Sequence, residues 1–170
     1  MAKFQAVLGS ICKKFAYIAM VITFILVFIT TIDVILRKVS SLSILGSYEM
    51  TEMGMVIVVF FSVAFLQTKK GHVRVDMLLN KFPERARAAV DGAMHAVGAF
   101  IIVLMSYAGF IQMLKQFHTG TTTAVLFMPL FPFYLFMGIG LVLFAIVLVT
   151  DAIAYFMQAA GKYKPLAAEN

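Results

Sequence analysis

The stretch FAYIAMVITFILVFITTIDVIL, residues 15–36, decides the fold. Only Thr23, Thr30, Thr31 and Asp33 interrupt its apolar run. A helix rises 1.5 Å per residue, so this run reaches roughly 33 Å and crosses a bilayer's hydrocarbon core. Lys13 and Lys14 precede it, and Arg37 and Lys38 follow. A secretory signal peptide has an apolar core of about 7–15 residues and a small-residue cleavage site. This run is longer and carries no obvious site, so it reads as a retained membrane helix.

The same solvent is written into the rest of the chain. Of 170 residues, 62% are hydrophobic and 13% charged, with a mean hydropathy of +0.98. A soluble domain is closer to half apolar and a quarter charged, so composition excludes an ordinary soluble domain, a disordered chain and a coiled coil. The net charge is +6. The basic residues stand in short segments between apolar runs, which points to anionic lipid headgroups and not to nucleic acid. The single cysteine, Cys12, excludes a disulfide framework or thiolate metal cluster within one chain.

Three further runs follow. The second has a short apolar core, Met53 to Leu66; Glu49, Glu52 and Gln67 extend it to a helix of nearly full span over 49–67. Its two carboxylates then fall in the first turns, where negative charge complements the helix dipole. The third run covers 88–114, with Asp91 and His95 near its start and small residues at Ala88, Gly92, Ala96 and Ala99. Such stripes let helix backbones approach closely in lipid. The fourth covers 131–157 and carries Asp151 near its end. Between the second and third runs, Val75, Leu78, Leu79 and Phe82 recur at helical spacing, predicting a short amphipathic helix over 73–82 lying in the headgroup plane. The expected fold is thus one all-α membrane domain, residues 1–170, with four transmembrane helices plus that interfacial helix.

Four spans put both termini on one side. The N-terminus, the second loop and the C-terminus hold eleven Lys and Arg residues against three, Arg37, Lys38 and Lys115, on the other side. The positive-inside rule makes the termini and the second loop cytoplasmic. Lys69, Lys81, Arg85 and Arg87 are the lipid-headgroup candidates in that loop.

Intramembrane charge marks transport pathways. Here Asp33, with Arg37 at i+4, and Glu49 and Glu52 stand at the outer boundary, and Asp91 and Asp151 at the inner. No ionisable group falls at a midplane. These residues read as boundary and partner-contact groups rather than a proton relay. His95 and His118 lie at opposite ends of the third helix, about 34 Å apart, so they cannot share a haem iron. His72 is in the second loop. No nucleotide-binding, zinc-hydrolase or serine-hydrolase motif occurs, so no catalytic, cofactor or metal residue is expected.

Four segments together carry a family resemblance: Arg37 ending the first helix; Ser47-Tyr48-Glu49 entering the second; Lys70-Gly71-His72-Val73-Arg74-Val75-Asp76 after it; and Thr122 to Pro129 before the last. Their order in a four-span chain resembles the small membrane subunit of tripartite ATP-independent periplasmic (TRAP) transporters, and the resemblance covers nearly the whole chain. The Gly-His-Val-x-Val-Asp segment is its most specific element. Met50 stands where the family has a second Glu after Glu49; Glu52 is the candidate substitute. The resemblance implies a non-substrate-binding scaffold or anchoring subunit in the bacterial inner membrane. It implies as partners a large membrane subunit, which holds the substrate and sodium sites, and a periplasmic binding protein that delivers an organic anion. Family substrates include dicarboxylates, keto acids and sialic acid; sialic acid is the specific expectation, although this subunit would not touch it. Two other readings stand beside this one. A self-sufficient four-helix transporter or channel lacks its midplane site, and a membrane redox subunit lacks suitably placed histidines.

Overall fold

The computed structural model describes residues 2–69 and 83–161. They form four helices: α1 Ala2–Ser40, α2 Ser47–Thr68, α3 Glu84–Thr119 and α4 Phe131–Ala159. All four are long and apolar enough to cross a membrane. Among the described residues there is no regular strand, only an isolated antiparallel bridge between Thr122 and Pro129. The expected interfacial helix over 73–82 lies outside the described residues.

α1 begins thirteen residues before the expected start at Phe15. Lys13 and Lys14 change the polarity of the chain there, but nothing changes its backbone preference. The longer helix buries Leu8 and Cys12 against the other helices. The threonine hydroxyls inside α1 are satisfied within it. The hydroxyls of Thr23, Thr30 and Thr31 donate to the carbonyls of Ala19 (2.8 Å), Leu26 (2.9 Å) and Val27 (2.6 Å). A hydroxyl facing lipid has no water to bond, so this back-bonding removes the cost of its burial. Arg37 and Lys38 in the last turn complement the helix dipole. Pro83 precedes α3 in an extended conformation, and Gly120 ends it at φ 61°, donating its N–H to the Gln116 carbonyl.

The helices pack as a row in the order α1, α2, α4, α3. α1 touches α4 only slightly. Neighbours α1/α2 and α4/α3 run antiparallel, and α2/α4 run parallel. Each seam has a small residue against which the facing helix packs. At the α2/α4 seam, a Cβ on Gly140 would sit 2.4 Å from the Phe60 carbonyl oxygen, so only glycine fits. At the α3/α4 seam, Ala88, Gly92 and Ala99 are buried, with the Phe156 ring over Gly92. At the α1/α2 seam, Leu26 lies over Gly54 and the Phe15 and Phe61 rings meet edge to face at 4.6 Å. One buried cluster, Leu8, Cys12, Ala64, Ala99, Phe144, Val147 and Leu148, draws on all four helices. The outward faces stay apolar, with Phe24, Phe28, Phe100 and Tyr107 all more than half exposed. That is the surface of a chain whose solvent is lipid.

The row has two unlike ends. The hairpin end carries the short α1–α2 and α3–α4 loops. The terminal end carries the N-terminus, the α2–α3 segment and the C-terminus.

Candidate functional site

Charged side chains gather at the hairpin end. Asp33, 2% exposed, sits two turns before the end of α1. One oxygen, Oδ1, accepts from the Ile44 N–H at 2.7 Å and the Ser43 hydroxyl at 3.0 Å. The other pairs with the Arg37 guanidinium one turn on. Asp33 therefore folds the α1–α2 loop back onto the helix it leaves. The Arg37 side chain is 57% exposed, which leaves its far side open.

Glu49, in the first turn of α2, is buried as well. Its two oxygens accept separately, from the Val125 N–H at 2.8 Å and the Leu126 N–H at 2.9 Å. Those amides belong to the α3–α4 loop, 76 and 77 residues away. The loop is itself closed across its base. Thr122 bridges Pro129, the Thr123 N–H donates to the Met128 carbonyl, and the Thr123 hydroxyl accepts from the Met128 N–H. The family-like Thr122–Pro129 segment is thus the two legs of one closed loop, and Glu49 holds its tip.

Gly46 joins the two loops. It precedes α2 at φ 77°, a left-handed conformation that favours glycine. A Cβ there would lie 2.5 Å from the Leu126 side chain. Asp33, Gly46 and Glu49 together make both loops a single platform on the helix ends.

Glu52 stands apart. It was expected to share a partner-facing role with Glu49, but Glu49 turns inward to its own chain while Glu52 is exposed. Glu52 lines a pocket between α2 and α4 with Met53, Val56, Leu130, Phe133, Tyr134 and Met137. A larger groove of about 580 Å³ between α3 and α4, lined by residues such as Val103, Tyr107, Phe110 and Ile146, holds no charged side chain.

The terminal end is built differently. Gln67, 3% exposed, donates from Nε2 to Asp151 Oδ2 at 2.7 Å across the α2/α4 seam. The two residues were read from sequence separately, one as a helix end and one as a boundary charge. Their common depth on two spans was the signal that could have joined them. Asp91 and His95 share one turn, His95 Nδ1 lying 2.8 Å from the Asp91 carbonyl oxygen, and the His95 ring meets the Tyr155 ring at 5.0 Å in a tilted contact. His118 is exposed at the opposite end of α3. Arg85 is exposed and Arg87 half-buried in the first turn of α3, and Lys69 is exposed just after α2. Lys70, Gly71, His72, Arg74, Asp76 and Lys81 lie outside the described residues.

The family model for DctQ, described as the DctQ component of tripartite ATP-independent periplasmic transporters, matches residues 26–157. The chain belongs to this family. The match runs from the middle of α1 to the end of α4, so it includes Asp33, Arg37, Glu49 and the closed Thr122–Pro129 loop. DctQ proteins are the small membrane subunits of TRAP transporters, a family of transporter components and not of enzymes. They work with a large membrane subunit and a binding protein. No curated protein and no solved structure matches the chain. This DctQ chain is accordingly a multi-pass membrane protein with four apolar helices.

Proposed function

We propose that this DctQ chain is the fixed scaffold of a sodium-coupled importer of an organic anion, and that it binds neither the anion nor sodium. A separate large membrane subunit carries both sites, and a periplasmic binding protein delivers the substrate, a carboxylate for which sialic acid is the specific expectation. The observation that carries this reading is where the charges lie. No Asp, Glu, Lys, Arg or His stands in the middle third of any of the four helices. The buried carboxylates at the hairpin end, Asp33 and Glu49, are saturated by this chain's own donors. A path for an ion or anion through the bilayer needs polar groups at depth.

In this reading the chain sits in the bacterial inner membrane with both termini cytoplasmic. The hairpin end faces the periplasm, as the eleven-to-three distribution of basic residues favours. Lys69, Arg85 and Arg87 meet anionic headgroups on the cytoplasmic side.

Two experiments test the proposal. Reporter fusions after Lys164 and within 119–123 should report cytoplasm and periplasm respectively, and the reverse would discard the topology. Replacing this chain by a small subunit from a transporter of different specificity, with a matched interface, should preserve the substrate range. A shifted substrate preference would put part of the substrate site on this chain and end the scaffold reading.

A further inference from the structure

Glu52 is an exposed carboxylate near the hairpin end of α2, without an ion-pair partner among the described residues. It is the sixth residue of α2, so it lies roughly 7–8 Å along the axis from Ser47. Its neighbours on the exposed surface are apolar: Met55 and Val59 are each about half exposed. Carboxylates in such positions pair with a cation or line a cavity. Among the described residues, no cation lies within ion-pair distance of Glu52; Arg37, on the same end, is paired with Asp33.

The surroundings of Glu52 describe what is missing. It borders a pocket of about 230 Å³ between α2 and α4, and it is the sole Asp, Glu, Lys, Arg or His among the lining residues. Met53, Val56 and Met137 offer adaptable apolar walls that suit an aliphatic stem. Phe133 and Tyr134 add aromatic rings, whose faces attract a cation. The pocket thus fits a side chain with an apolar stem and a positive head.

We propose that the Glu52 pocket receives a Lys or Arg side chain from the large membrane subunit, and that this charge pair sets where α2 and α4 dock against it. The proposal rests on the reading of this chain as a transporter scaffold. A charge pair formed away from water is directional, so it fixes register where apolar helix faces alone would slide.

The test uses the assembled complex. This chain, carrying an affinity tag, is co-expressed with the large subunit of its own transporter, and the large subunit recovered in detergent is quantified across a salt series. Glu52→Lys should lower recovery about tenfold or more, and Glu52→Gln should lower it less. Each variant subunit alone should remain monodisperse, because Glu52 is exposed and holds no loop. Basic residues near the periplasmic boundary of the large subunit are then changed to Glu one at a time. Restored recovery of one such variant with Glu52→Lys establishes the pair. Unchanged recovery of Glu52→Lys overturns the proposal. So does a loss that no reversal restores, which would assign the pocket to a lipid ammonium group. If the unaltered chain fails to recover the large subunit at all, the scaffold reading itself fails instead.

Discussion

The two ends of this helix row solve the same problem with different chemistry. At the hairpin end, buried carboxylates accept from loop backbone: Asp33 from Ile44, and Glu49 from Val125 and Leu126. At the terminal end, the side-chain pair Gln67–Asp151 joins one helix to another and, among the described residues, holds no loop. A backbone N–H next to a membrane must find an acceptor or lose several kcal/mol, about the cost of an unmade bond in an apolar medium. The short hairpin loops cannot pair all their amides internally, so acidic side chains from the helices complete them. The result is a pair of loops held by helix carboxylates at one end and helix-to-helix stapling at the other.

The most direct way to break that contrast is Glu49→Ala. It removes both acceptors at once and strands two amides beneath the α3–α4 loop. Two unsatisfied N–H groups together cost about 3 kcal/mol. Thermal unfolding of the subunit in detergent should show the loss. Amide exchange should rise sharply at 121–130 and stay unchanged near Gln67. An unaltered exchange pattern would mean that the loop closes through Thr122–Pro129 alone.

Gly46→Ala asks whether the two loops are one platform or two. Alanine at φ 77° costs about 1–2 kcal/mol, and its Cβ meets Leu126 as well. About 2 kcal/mol of destabilisation is expected in total, with faster exchange in both loops. Protection lost only around residue 46 would separate the loops.

Asp33→Asn should cost less. The amide oxygen still accepts from Ile44 and Ser43, and only the ion pair is lost. Arg37 is 57% exposed, so solvent already screens that pair, and about 1 kcal/mol or less is expected by calorimetry.

Much of this was legible in the sequence, for a physical reason. Spanning helices must be apolar over their whole length, so hydropathy alone locates 15–36, 88–114 and 131–157. The weaker second run is also a long apolar helix, because residues 47–52 are helical although polar. Helix ends were less legible. Lys13 and Lys14 mark a change of polarity, and α1 runs past them to Ala2 because burial of Leu8 and Cys12 rewards the extension. The spacing of Asp33 and Arg37 allowed an i+4 pair to be read locally. The partners of Glu49 could not be read that way. They are backbone amides, which every residue carries, and they lie 76 and 77 positions on in a loop of unremarkable composition. Sequence therefore offered a partner protein as its counter-group, whereas folding supplied Val125 and Leu126. Gly140 had the opposite problem. Its chemistry was plain, but its role depends on Phe60 crossing at that depth.

The smallest effect belongs to the terminal end, and it sharpens the contrast. Asp151→Asn keeps a carbonyl oxygen that can accept from Gln67 Nε2, so the bond survives without its charge. A charge-assisted bond is roughly twice as strong as a neutral one, so about 0.5–1 kcal/mol should be lost. The hairpin loops should exchange as in the unaltered chain, because nothing at the α2/α4 seam near Gln67 reaches them. The reciprocal change, Gln67→Leu, should cost more, since it leaves the half-buried Asp151 carboxylate without that donor. The sign of the difference matters more than its size. If Asp151→Asn proves as damaging as Glu49→Ala, the terminal end also depends on a carboxylate whose charge is required, and the asymmetry between loop-holding and helix-holding acids is wrong. If Asp151→Asn is mild and Gln67→Leu is not, the pair is a helix staple whose donor matters more than its charge.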